Sequence, residues 1–137
     1  MDEAAIIRAI TEGFERVTTT TAMGDTFFIY DTDQKMPFAT LVTGTEYDDA
    51  SNVSRPGIYR LNLGVRKETF RALFGDADGE YDFTATDRLL PHPVYGRQHW
   101  VCILNPSEAT FDSAVRPLLA EAYQVAVDRQ ERRAARG

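Results

Sequence analysis

Ile58-Tyr59-Arg60-Leu61-Asn62-Leu63-Gly64-Val65 decides the fold of this chain. Polarity alternates residue by residue, the repeat of an extended strand, so Tyr59, Leu61, Leu63 and Val65 share one face while Arg60 and Asn62 share the other. The apolar stripe must be covered, and helical segments lie on both sides of it in the sequence to do so. Arg60 and Asn62 then face solvent or line a groove, where Arg60 is placed to grip a carboxylate or phosphate. Were helices to cover that face as well, both side chains would need partners inside the fold.

Upstream, residues 38–43, 26–30 and 17–21 read as three further strands, the last rich in β-branched threonines. Met23-Gly24-Asp25 is a turn, and Asp31-Thr32-Asp33-Gln34-Lys35 is a polar hairpin loop, so the strands around it pair antiparallel. Before them Ile6, Ile7, Ile10 and Phe14 recur at helical spacing behind Asp2, a capping residue, predicting a helix over 3–15. Residues 44–57, with Gly44, Asp48, Asp49, Pro56 and Gly57, form a long loop.

Downstream, residues 67–74 read as a helix stopped by Gly75, and Trp100-Val101-Cys102-Ile103-Leu104 as a short apolar strand. Residues 76–99 between them are irregular, a length at which loops in small domains commonly carry function. Ser107 opens a last helix, with Asp112 as a second capping residue, and Leu118, Leu119, Ala122, Tyr123 and Ala126 give it an apolar face. Pro117 requires that this helix either bend or begin near Ser113. The order α-β-β-β-β-α-β-α describes an α+β sandwich, an antiparallel sheet with helices packed on one face.

At 137 residues and 15.4 kDa the chain fits one domain over residues 1–137, with a charged tail from about 130 expected to fray. Its 43% hydrophobic content supports a core without disulfides or metals. Fifteen Lys and Arg against 21 Asp and Glu leave a net charge of −6, which repels nucleic acid and anionic membrane. The single cysteine, Cys102, excludes an internal disulfide and a Cys-rich zinc site. No stretch has the length of a signal or membrane segment, and a cytoplasmic protein is expected.

Several motifs together resemble the MmcQ/YjbR-like group, in particular its DUF6194 branch. They are Gly24-Asp25-Thr26-Phe27-Phe28, Lys35-Met36-Pro37-Phe38-Ala39-Thr40, Arg60-Leu61-Asn62-Leu63-Gly64-Val65, Leu90-Pro91-His92-Pro93-Val94-Tyr95, His99-Trp100-Val101 and Glu121-Ala122-Tyr123-Gln124. The resemblance spans the chain to about Arg129. It implies a YjbR-like α+β fold whose sheet is similar to a double-wing nucleic-acid-binding surface. It carries little chemistry, apart from implying a natural-product ligand or a resistance role.

Candidate chemistry centres on the proline turn and the strand beside it. Pro91-His92-Pro93-Val94-Tyr95 holds an imidazole and a phenol on a rigid segment, although prolines there also serve simply to end one element and aim the next. His92 and His99 are the two histidines and the candidates for a general acid or base. Glu80, Asp82 and Asp87 lie near them, but the spacing matches no zinc pattern, so no metal is expected. Cys102 sits among apolar residues and reads as a small hydrophobe, with His99 on the other side of its strand. Arg129 to Arg136 reads as a solvated helix end. No Gly-x-Ser-x-Gly, phosphate loop or dinucleotide fingerprint is present.

The preferred expectation is a small-molecule-binding or accessory protein without a cofactor of its own, its ligand held by Arg60, Asn62, His92, Tyr95, His99 and Trp100. The alternatives are nucleic-acid binding through the sheet, and a cofactor-free enzyme with a histidine base.

Overall fold

The computed structural model describes residues 1–31, 36–44, 49–76 and 79–136. The 31–35 loop and the 44–57 loop lie partly outside these residues. Six strands pair antiparallel throughout: β1 (Val17–Ala22), β2 (Asp25–Tyr30), β3 (Ala39–Val42), β4 (Arg60–Gly64), β5 (Leu90–Pro91) and β6 (Trp100–Leu104). Their order across the sheet is β1-β2-β3-β4-β6-β5. The α+β architecture expected from the sequence is therefore present, with one added strand. β5 falls in the stretch read as irregular, because two residues are too short to show a periodicity. Its Pro91, lacking an N–H, is tolerated at the edge of the sheet.

The helices are α1 (Glu3–Gly13), α2 (Lys67–Phe74), α3 (Glu108–Thr110) and α4 (Arg116–Arg136). Asp2 caps α1 by accepting from the Ala5 N–H at 2.8 Å, and Gly75 ends α2 in a positive-φ conformation, donating its N–H to the Arg71 carbonyl. Between α3 and α4 the chain continues through Phe111–Val115 as a π-helical turn, closed by the Arg116 N–H on the Phe111 carbonyl. Pro117 accounts for it, since its ring crowds the carbonyl four residues earlier and it has no N–H to give an ordinary helix.

Alternation then builds two faces. Phe28, Leu41, Leu61, Leu63, Val101 and Ile103 point to the helical side, where Ile6 and Ile10 of α1 meet Phe111, Val115, Leu119 and Ala122. Asp25, Phe27, Thr40, Val42, Arg60, Asn62 and Trp100 occupy the second face. That face is covered in part. Arg60 donates to the Ser51 hydroxyl, and Arg55 donates to the carbonyls of Ser51 and Thr84, fastening the two long connections together over one end of the sheet. No helix among the described residues is long and apolar enough to cross a membrane.

Leu61, 0% exposed on the central strand, anchors this core, so Leu61→Ala is expected to cost about 2–5 kcal/mol by urea denaturation. Thr19→Ala, on the exposed edge strand, should stay within about 0.5 kcal/mol; equal losses would contradict this core. The Tyr59 hydroxyl, which donates to the Met1 carbonyl, is pushed up to about 12 by burial and then by Asp2 and Glu3. A raised folded-state value leaves its contribution intact below the unfolded value of about 10 and removes it as pH climbs toward 12. Tyr59→Phe should flatten this alkaline loss in a stability–pH profile.

Candidate functional site

A hollow of about 480 Å³ opens on the second face of the sheet. Its floor follows from register. Val42 stands opposite Arg60, and the next row runs Phe27, Thr40, Asn62 across three strands. The polar groups of the floor are tied to one another. Arg60 donates through Nε to Asn62 Oδ1 at 3.0 Å and through Nη1 to Ser51 Oγ at 3.1 Å, and Asn62 Nδ2 donates to Thr40 Oγ1 at 2.9 Å. Arg60 is 2% and Asn62 3% exposed, so this network replaces the water a guanidinium would otherwise hold.

The wall is the proline turn, where β5 leads back to β6. The His92 N–H donates to the Trp100 carbonyl at 2.9 Å, and the Gly96 N–H donates to the His92 carbonyl at 3.0 Å. The His92 ring caps this turn: Nδ1 accepts from the N–H groups of Val94 at 3.0 Å and Tyr95 at 2.9 Å. Two donors aimed at Nδ1 require a lone pair there, so the hydrogen-bond network assigns the proton of the neutral ring to Nε2. Nε2 faces Arg60 Nη2 at 3.5 Å. Trp100 forms the neighbouring wall with its indole against Gly64, where an added Cβ would stand only 3.1 Å from the ring. Met36, Pro37, Tyr95 and Gln98 form the remaining border, with Met36 and Tyr95 partly in solvent.

Five of the six residues singled out in the sequence therefore line one hollow: Arg60, Asn62, His92, Tyr95 and Trp100. His99 does not join them. Strand alternation turns it away from Trp100, its φ of 68° bends the chain, and its carbonyl accepts from the Val65 N–H. Its ring meets Phe70 edge-on at 5.7 Å in a smaller hollow of about 180 Å³ with Arg71 and Arg97.

Asp25 is the residue that the sequence reading passed over. It looked like part of a turn, yet it opens β2 on the second face and is 1% exposed. Its Oδ1 accepts from the Thr43 N–H at 2.8 Å, while Oδ2 has no hydrogen-bond partner among the described residues. The run Phe27-Phe28-Ile29 held the available signal, because a strand apolar on both faces is covered on both.

The other carboxylates have separate duties. Asp82 accepts from the hydroxyl and N–H of Thr84, and Asp87 from the Ser107 N–H, bonds that lower both below the usual carboxylate range. No group of three or more His, Cys, Asp or Glu gathers as a metal site among the described residues. Cys102 is buried, its Sγ 3.7 Å from the Pro91 carbonyl oxygen.

A family model described as "Family of unknown function (DUF6194)" matches residues 1–135. No curated protein matches the chain. A solved crystal structure of a protein from Pseudomonas syringae is similar in fold, with a TM-score of 0.61 at 13% identity over 92% of this chain and 99% of that one.

The locked ring makes two variants of His92 diverge. His92→Asn places an oxygen near Nδ1 and should keep the turn, whereas His92→Ala strands two N–H groups and is expected to cost about 1–3 kcal/mol more in urea. Equal midpoints for the two would remove the capping role.

Proposed function

From the premise that the chain belongs to the DUF6194 family, of unknown function, we propose that its hollow is a small-molecule binding site and that the protein acts as a binding or accessory protein. One observation carries this reading: Asp25, Arg60, Asn62 and His92, each at most 6% exposed, converge on a cavity whose lining includes Phe27, Val42 and Trp100. A few placed polar groups in an apolar concavity of about 300–1,000 Å³ is the usual form of a ligand site. The motifs around Arg60 and His92 support a wider kinship with MmcQ/YjbR-like proteins as part of the same proposal, and with it a natural product as the ligand.

Nucleic acid fits this surface less well. Arg60, the clearest cation on the sheet face, is buried, and the net charge of −6 opposes the approach of a polyanion. A histidine base also fits less well, because the Nδ1 lone pair of His92 already receives two N–H donors. His92 is arranged to donate.

Trp100 is the one tryptophan of the chain, so its emission reports on the hollow directly. A thermal-shift screen of metabolites should yield compounds that raise Tm, by about 2.7 kcal/mol of stabilisation at a hundredfold excess over Kd, and that change Trp100 fluorescence. Stabilising compounds that leave this emission untouched, or a screen without any stabilising compound, would count against the proposal.

A further inference from the structure

We infer that the ligand of the hollow is an organic amine, bound as its ammonium ion at Asp25. This rests on the hollow being a small-molecule site and gives its ligand a charge and a chemical class.

Asp25 lines the hollow from the start of β2 and is 1% exposed. Thr43 donates its N–H to Oδ1 at 2.8 Å, while Oδ2 is buried with no hydrogen-bond partner among the described residues. A carboxylate oxygen only accepts, so the group that completes it is a donor. Buried polar atoms are nearly always paired, and a buried carboxylate held by one N–H lacks the solvation it would have in water. An ammonium supplies both an N–H for Oδ2 and the opposite charge. Charge-assisted bonds of this kind are about twice as strong as neutral ones.

The other polar groups of the floor are engaged within the protein. Asn62 donates to Thr40, and Arg60 and His92 each have partners on the chain itself. They hold the floor together, which leaves Asp25 to select the ligand. It is the one carboxylate among the described residues that line the hollow. Arg60, the cation of the floor, lies two strands from β2, about 9–10 Å away, with Val42 of β3 beside it on the intervening strand.

The remaining surfaces suit the carbon skeleton of an amine. Phe27 follows Asp25 on the same face of β2, Trp100 stands on β6, and Met36 and Tyr95 lead out to solvent. Aromatic rings cover hydrocarbon and also attract a cation to their faces. The net charge of −6 favours the approach of a cation over that of an anion.

Three probes of similar size test this: benzylamine, a cation at neutral pH; benzyl alcohol, neutral with an O–H; and benzoate, an anion. Binding to the full chain is followed by NMR at the Trp100 indole N–H and at the Thr43 amide, which sits on the other oxygen of Asp25. The wild type should bind benzylamine about tenfold more tightly than benzyl alcohol, and benzoate most weakly. Asp25→Asn keeps an oxygen for Thr43 and sets an amide N–H in place of Oδ2, so it should abolish the preference for benzylamine and leave benzyl alcohol nearly unchanged. The inference is overturned if benzyl alcohol or benzoate binds the wild type as tightly as benzylamine, or if Asp25→Asn retains the preference. Should that variant not fold, the wild-type order decides alone. Should all three probes be silent, the screened metabolites decide: compounds without an amine that move the Trp100 signal overturn it, and amines whose binding Asp25→Asn abolishes uphold it. Silence of the Trp100 signal toward probes and metabolites alike would instead bring down the small-molecule reading itself.

Discussion

A guanidinium buried on a sheet face must be solvated by protein, and the second half of this structure is organised around that constraint. Arg60 sits at the start of the central strand with 2% of its surface exposed. A charge removed from water without compensation would cost several kcal/mol. Asn62 supplies an oxygen from the same strand face, Ser51 supplies a hydroxyl from the preceding connection, and His92 lies alongside from the turn before β6. The long connections are thus fastened to the strand that they would otherwise merely join. Their closure over one end of the sheet leaves the hollow beside them.

The apolar half obeys a simpler rule. Helices α1 and α4 cover the face made by Phe28, Leu41, Leu61 and Leu63, and the chain ends are tied to the same core. The Tyr123 ring stacks on Phe14 at 4.7 Å and meets Tyr30 edge-on at 5.3 Å, while its hydroxyl donates to the Glu15 carbonyl. Asp128 accepts from Arg66 and Gln124, fixing α4 to the start of α2. A sheet packed in this way from one side holds the floor of the hollow in register.

Legibility in the sequence followed period and length. β4, β6 and α2 could be read within a residue or two, because each has a repeat or a terminal signal such as Gly75. β5 escaped, having two residues, and the π-helical turn escaped because Pro117 signals a conflict without saying how the backbone resolves it. Within the hollow, Arg60, Asn62, His92, Tyr95 and Trp100 could be named in advance, since an alternating strand and a proline-bracketed turn each present side chains in known directions. Asp25 could not. A carboxylate next to a glycine reads as a turn, and only its pairing with Ala22 of β1 and the bond from the Thr43 N–H show that it opens a buried strand.

The sequence by itself determined the two-faced sheet, the helical layer on one side and the shared face of Arg60 and Asn62, all local consequences of how side chains alternate along an extended backbone. The tertiary structure decided which of those residues meet. It brought His92 to Arg60 across 32 positions of chain, sent His99 to the far side of its turn, and sealed Asp25 beneath the edge of the hollow. Those outcomes depend on the path of two long connections, and a connection's path is chosen by the buried charge it must satisfy and not by any repeat within it.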